Sequence, residues 1–258
     1  MKAIRARLAG LKAPLEDPIL SHGIPFSAVS FSGCGALNFY QTGAAAELVE
    51  RGWCPQLRFA GASAGAGLGV LLAQDSEPEE IAEIAIEILS SHRGKNLLLH
   101  PTVLFEFADR FLGHFMRPDT VDKVQGRVSI SITKVPKWRN WLVSEFYDQR
   151  DLELAVRASS HLPSLRYRSI AFRGERCVDG GFTSNCPVTT TNTLMVSPFG
   201  IDRRADVHPP IWTPFWHSVI VPSPRVARRL YDRGKQDMHS KIESLLNGKR
   251  LPLRRPAF

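Results

Sequence analysis

One pentapeptide restricts the possible fold more than any other feature of the chain. Residues Gly61 to Gly65 have the sequence G-A-S-A-G, after a short apolar segment over 57–60 and before a run of small residues that extends to Ala73. Strand, G-x-S-x-G and helix in this order predict a nucleophile elbow, a sharp turn that exposes a serine hydroxyl above a sheet. Ser63 is therefore the candidate nucleophile, with Gly61 and Gly65 as supporting positions. The alternative is a glycine-rich helix that packs closely on a neighbour.

Strand and helix patterns alternate along the rest of the chain. Apolar segments predict strands over 26–32, 57–60, 127–133, 140–146, 193–198 and 217–222, and a hairpin over 170–178 that turns at 173–175. Helical spacing predicts helices over 37–52, 64–73, from a capping box at Ser76, around 102–115, over 151–159 and after Pro224. Interleaved strands and helices predict the α/β class, as a three-layer α/β/α sandwich with a largely parallel central sheet.

Composition and length favour one folded domain. The 258 residues are 43% hydrophobic and 22% charged, which excludes a disordered chain. The longest uncharged apolar run, over 59–73, is about 15 residues and shorter than the roughly 20 that a membrane span needs. Without a run of signal-peptide length near the start, we expect a cytoplasmic protein. We divide the chain into an N-terminal arm (1–25), a main domain (26–224) and a basic amphipathic C-terminal segment (225–258).

The positive charge is concentrated in the C-terminal segment. This segment carries +7 of the net charge of +8 and predicts a helix with an apolar stripe. The stripe contains Val226, Leu230, Met238, Ile242 and Leu245. Such a helix predicts peripheral docking on an anionic membrane or a lipid-droplet surface. Packing of the stripe on the domain core is the alternative, and nucleic acid is disfavoured because few aromatic side chains could stack on bases.

Two further motifs place polar chemistry at strand ends. Gly33-Cys34-Gly35 follows a strand and opens a helix, where backbone N–H groups can gather around an anion. Asn38 stands where a dinucleotide-binding loop has its third glycine, which disfavours a nucleotide site. Asp179 begins D-G-G-F-T-S-N-C-P after a strand-like run, on a glycine turn. By itself this last motif favours an ordinary Asp-Gly turn.

In this order, the three motifs resemble the patatin-like phospholipase family, and in particular its branch with adipose triglyceride lipase and adiponutrin. The similarity extends from about Phe26 to Phe199 and includes His100-Pro101 and the segments 130–135 and 142–146. Asn38 and the segment 160–163, S-H-L-P, depart from the family pattern. The second departure points to a different acyl pocket.

The resemblance implies a patatin-like fold and a Ser–Asp dyad. Ser63 would attack an ester carbonyl, and Asp179 would act first as general base and then as acid. The implied oxyanion hole comprises Gly33, Cys34, Gly35, Ala36 and Ala64. The implied supporting residues of the Asp179 turn are Gly180, Gly181 and Asn185, the last as a turn-locking residue.

The implied function is a serine lipid acyl hydrolase, either an acylglycerol lipase or a phospholipase, with possible transacylation. We expect a lipid substrate, no cofactor and no obligate protein partner. We also expect no metal, since the four cysteines lie far apart without a C-x-x-C pair. Two alternatives remain open. One is a Ser-Asp-His α/β-hydrolase that uses His208, His217 or His239, and the other is a catalytically weak protein that binds lipid surfaces.

Overall fold

The computed structural model describes residues 23–163, 168–200, 202, 204–211 and 213–256, which form an α/β sandwich around one sheet. The strands are β1 (Ala28–Phe31), β2 (Arg58–Ala62), β3 (Val128–Val135), β4 (Arg139–Val143), β5 (Ile170–Phe172), β6 (Glu175–Asp179) and β7 (Thr193–Val196). Their order is β5-β6-β3-β2-β1-β7, and β4 pairs with β3. The neighbours β7, β1, β2 and β3 are parallel, whereas β4 and β6 run antiparallel to β3. The predicted fold class is confirmed.

Helices connect and cover the strands. They are α1 (Asn38–Glu50), α2 (Ala64–Ala73), α3 (Pro78–Ser90), α4 (Pro101–Phe115), α5 (Thr120–Val124), α6 (Gln149–Ser159) and α7 (Pro224–Leu246). Strands β1 and β7 are buried along their whole length, as expected for parallel strands with side chains packed on both faces. None of the helices in the described ranges is long and apolar enough to cross a bilayer.

Two local predictions are wrong. The segment 217–222 is not a strand of the sheet: its backbone bonds to the 94–97 turn, where Leu97 N–H donates to Val219 O at 2.7 Å. Residues Phe215–Val219, which overlap this segment, form a 3-10 turn. Burial of Ser218 and Val219 in the turn explains the strand-like pattern. The capping box is also absent, because α3 begins at Pro78 after Glu77, and the Ser76 hydroxyl accepts from Gln74 Nε2 at 2.9 Å.

Most of the apolar stripe of the C-terminal segment is not available to a membrane, which corrects the sequence expectation. Met238, Ile242 and Leu245 are buried in the main hydrophobic core, and Leu230 is partly buried against it. Val226, at the start of the helix, is 44% exposed. Helix α7 packs along α1, and a Cβ atom added at Gly234 would lie 1.8 Å from the Tyr40 carbonyl oxygen. The segment therefore packs on the main domain. Most of the predicted N-terminal arm, 1–22, lies outside the described residues.

Candidate active site

The register of β3 brings Ser63 and Asp179 together, although they are far apart in the chain. Ala62, the last residue of β2, lies opposite Ser131 of β3. Asp179, the last residue of β6, lies opposite Ile132, the next residue of β3. Strand β2 runs parallel to β3 and pairs with its first half, whereas β6 runs antiparallel and pairs with its second half, so the C-terminal ends of both strands meet at the middle of β3.

Ser63 occupies a strained turn between β2 and α2. Its backbone has φ 54° and ψ −128°, a region that costs a non-glycine residue about 1–3 kcal/mol. Both motif glycines are required by close approach: a Cβ atom at Gly61 would lie 2.5 Å from the Gly65 carbonyl carbon, and one at Gly65 would lie 2.4 Å from Phe31 O. This is the geometry of a nucleophile elbow.

A second serine, which the sequence analysis missed, holds this turn in place. The Ser63 backbone N–H donates to Ser159 Oγ at 2.8 Å, and Ser159 Oγ donates to Ser131 O at 2.7 Å. Ser159 is the fully buried last residue of α6. It thereby ties the elbow to the neighbouring strand. No motif marks this residue, because the contact depends on how α6 docks on the sheet.

Asp179 is a buried carboxylate beside Ser63. It is 5% exposed, and the Gly181 N–H donates to its Oδ1 at 2.7 Å. Burial raises the pKa of Asp179 to about 6, while the Ser63 hydroxyl and the Gly181 N–H act in the opposite direction. A carboxylate with such a pKa is ionised at neutral pH and basic enough to accept a proton from an attacking hydroxyl.

The predicted oxyanion residues all line the cavity that contains Ser63, but the N–H of one of them already has an acceptor. Gly35 and Ala36 belong to a 3-10 turn that precedes α1, Ala64 begins α2, and all three line the same cavity as Ser63. N–H groups at such helix starts have no acceptor within the helix. The N–H of Gly33 instead donates to Asn185 O at 3.1 Å. We therefore remove Gly33 from the oxyanion set.

A buried glutamine holds the Gly33–Gly35 loop, and the sequence analysis missed it too. Gln41 Nε2 lies 2.9 Å from Ser32 O, 2.9 Å from Cys34 Sγ and 3.0 Å from Asn38 Oδ1. Asn38, which departs from the family pattern, is thus part of the network that orders the loop. Burial raises the pKa of the Cys34 thiol well above its usual range, so this thiol is neutral. Cys34 therefore contributes structure and a backbone amide.

None of the three histidines of the triad alternative lines the cavity that contains Ser63 and Asp179, although His217 stands between Trp216 and Ser218, which do. His239 Nδ1 lies 2.9 Å from Glu47 Oε1 on the α1–α7 face, and His208 Nδ1 lies 2.9 Å from Pro209 O. A fourth histidine, His161, does line the cavity. Its carbonyl accepts from the Asp179 N–H at 2.9 Å, and its ring stacks on Phe105 with centroids 6.4 Å apart.

The cavity above the dyad has a volume of about 880 Å³ and a mainly apolar lining. Its walls come largely from α2, α3 and α4, with side chains that include Leu68, Leu71, Ile81, Leu89, Leu104, Phe107, Phe111 and Leu112. Ser160, His161 and Leu162, from the segment that departs from the family pattern, also line it. Among the described residues no cluster of histidine, cysteine or acidic side chains could hold a metal ion. The cavity is suited to a long hydrocarbon chain with its polar end at Ser63.

Comparisons with known proteins agree with this geometry. A family model described as patatin-like phospholipase matches residues 29–191, more than half of the chain. The mouse protein named 1-acylglycerol-3-phosphate O-acyltransferase Pnpla3 is 37% identical over 181 residues, which are 67% of this chain and 43% of that protein. Human patatin-like phospholipase domain-containing protein 4 is 30% identical over 190 residues, 70% of this chain and 74% of that protein. The chain thus spans less than half of the mouse relative.

A solved structure shares the fold. VipD from Legionella pneumophila superposes with a TM-score of 0.52 at 13% sequence identity, over 85% of this chain and 67% of VipD. At this level of identity the likeness shows the architecture of the sheet and helices alone.

Proposed function

Because this chain belongs to the patatin-like phospholipase family, we propose that it is a serine lipid acyl hydrolase with transacylase capability. The observation that carries the proposal is the placement of Ser63 beside buried Asp179, with no histidine between them in the register of the sheet, at the polar end of an apolar cavity of about 880 Å³. A hydroxyl next to a carboxylate of raised pKa can be activated by that carboxylate directly.

The proposed reaction has two stages. As Ser63 Oγ attacks an ester carbonyl, the hydroxyl proton passes to Asp179. The oxyanion that forms accepts hydrogen bonds from the backbone N–H groups of Gly35, Ala36 and Ala64. Collapse of this intermediate leaves the acyl group on Ser63 and transfers the proton from Asp179 to the departing alcohol. Water or an acceptor alcohol then attacks the acyl-enzyme, with Asp179 again as base. Water gives hydrolysis, and a lipid alcohol gives transacylation.

The apolar cavity favours long-chain substrates, so we propose acylglycerols and phospholipids as the substrate class. The mouse relative is named as an acyltransferase. Transfer to a lysophospholipid or monoacylglycerol is therefore the expected second activity.

We further propose that the protein acts peripherally on a membrane or lipid-droplet surface in the cytoplasm. The segment 225–258 can contribute mainly through charge, since most of its apolar stripe is buried. Its exposed cations are Arg225, Arg228, Arg229, Arg233, Lys249, Arg250 and Arg255. Some are already engaged, as Arg228 is with Glu83. Each cation near an anionic leaflet contributes about 1 kcal/mol, so those outside ion pairs would strengthen binding.

The decisive experiment combines labelling and turnover. A fluorophosphonate probe should label the wild-type chain and leave Ser63→Ala unlabelled, and a mixed lipid panel with monoacylglycerol as acceptor should report both products. His161→Gln should keep labelling and turnover within about tenfold, because the dyad needs no imidazole. Labelling that persists in Ser63→Ala would overturn the assignment of the nucleophile. A wild-type chain that is neither labelled nor active would favour the lipid-binding alternative.

A further inference from the structure

Exposed aromatic side chains surround the mouth of the cavity. Phe105, Phe182, Phe215 and Trp216 line the cavity, yet they are 36%, 52%, 65% and 55% exposed. A side chain that both lines a cavity and contacts solvent lies where that cavity opens. Single exposed apolar residues are ordinary on a protein surface, whereas a contiguous group around an opening indicates an interaction site.

Two aliphatic side chains extend this group beyond the cavity lining. Leu99 and Ile211 are each 76% exposed. Leu99 lies two residues after Leu97, which lines the cavity and bonds to Val219 O at the end of the Phe215–Val219 turn. The Ile211 carbonyl packs against Gly200, next to Phe199, whose ring stacks on Phe215 with centroids 6.1 Å apart. We call Leu99, Phe105, Phe182, Ile211, Phe215 and Trp216 the apolar rim.

Cations flank the apolar rim on two sides. Beside Leu99, exposed Arg93 and Lys95 belong to a turn that pairs with Val221, through Gly94 N–H to Val221 O at 3.0 Å and Val221 N–H to Lys95 O at 3.1 Å. On another side, the Trp138 ring contacts the Phe182 ring with centroids 5.8 Å apart. Trp138 stands between Lys137 and Arg139, and all three are exposed.

An apolar centre with cations at its margin complements the boundary between headgroups and acyl chains of a phospholipid layer. We propose that the apolar rim is the surface by which this protein docks on phospholipid, with the cavity mouth facing the acyl layer. Apolar side chains enter the boundary while the flanking cations meet phosphates. In this orientation a lipid passes from the layer to Ser63 without crossing water; this part of the inference rests on the proposed function. Helix α7 then acts as part of the scaffold, with its cations as an auxiliary attraction.

Vesicle co-sedimentation tests the proposal directly. The rim variant is Leu99→Ser with Ile211→Ser, and the matched control is Leu246→Ser with Leu253→Ser, two exposed apolar residues of the C-terminal segment that are 47% and 91% exposed. All are made in a full-length Ser63→Ala chain, so that no turnover alters the vesicles. With phosphatidylcholine vesicles that contain phosphatidylserine, the rim variant should bind about tenfold more weakly for each side chain removed. The control should bind like its parent.

A turnover measurement separates docking from chemistry and from folding. With Ser63 intact, the rim variant should hydrolyse a water-soluble short-chain ester at the wild-type rate and lose activity on vesicles, because Leu99 and Ile211 lie outside the cavity lining. A wild-type chain inactive on every ester would refute the proposed function and leave the binding result standing. Wild-type binding by the rim variant would overturn the proposed docking surface. Weaker binding by the control alone would identify the C-terminal segment as the anchor.

Discussion

Asp179→Asn should make the protein more stable at neutral pH while it removes the general base. The asparagine has the same shape, and its Oδ1 can still accept the Gly181 N–H that bonds to Asp179 at 2.7 Å. It cannot accept a proton from Ser63, so turnover should fall by about two to four powers of ten. Stability should change in the opposite direction, because the substitution removes a charge from a site that is 5% exposed.

The size of this effect follows from the pKa of about 6 for Asp179, against an ordinary value of 3.8. Above pH 6 the folded protein holds a carboxylate that the unfolded chain solvates better, a difference of about 3 kcal/mol. Below about pH 4 both states are protonated and the difference disappears. The wild type therefore gains stability relative to the variant as the pH falls from about 6 to about 4.

Urea unfolding of both proteins between about pH 4 and pH 8 measures this difference. The free energy of unfolding of Asp179→Asn minus that of the wild type should rise with pH by about 3 kcal/mol and level off above pH 6. A difference that stays constant with pH would refute the reasoning, because the carboxylate would then have the same pKa folded and unfolded. All other titratable groups are common to both proteins, so their contributions cancel in this difference.

Three further outcomes are expected. The kcat/KM on a soluble ester should fall as the pH drops through about 6, because Asp179 must be ionised; an acid limb near pH 4 would contradict this. Ser159→Ala should lower kcat by about ten- to a hundredfold with KM little changed, because it removes the acceptor of the Ser63 N–H and so loosens the Ser63 turn. An unchanged kcat with lowered stability would show that Ser159 has only a structural role. In urea, Gly234→Ala should destabilise and Gly113→Ala stabilise the protein, because only Gly234 lies at a helix crossing.

Much of the fold could be predicted because local patterns and packing agree. The hairpin turn at 173–175 is an example: Arg173 and Gly174 have φ 47° and 79°, a two-residue turn between β5 and β6. The segment 217–222 failed for the opposite reason. Its apolar residues are buried by a 3-10 turn and by a bridge from Asn96 to Ile220, which imitate a strand without joining the sheet.

The candidate site divides in the same way. Ser63 and Asp179 could be proposed from sequence because each stands in a short motif at the end of a strand. The residues that hold them could not, since Gln41 and Ser159 act through contacts that appear only when helices dock on the sheet. The apolar rim was equally hidden, because its members come from separate segments of the chain and no spacing connects Leu99 with Ile211 or Phe182.

Gly234 shows how tertiary packing can outweigh a local preference. In an exposed helix, replacing glycine with alanine stabilises by about 1 kcal/mol, and Gly113 on α4 is such a position, with open space around an added Cβ atom. At Gly234 the added atom would lie 1.8 Å from the Tyr40 carbonyl oxygen, and backbone cannot move aside as a side chain can. Separating α1 from α7 should cost about 1–3 kcal/mol beyond the gain in helix propensity. If both alanine variants are stabilised, α7 does not pack on α1 in solution, and the C-terminal segment is again free to present its apolar stripe to a membrane.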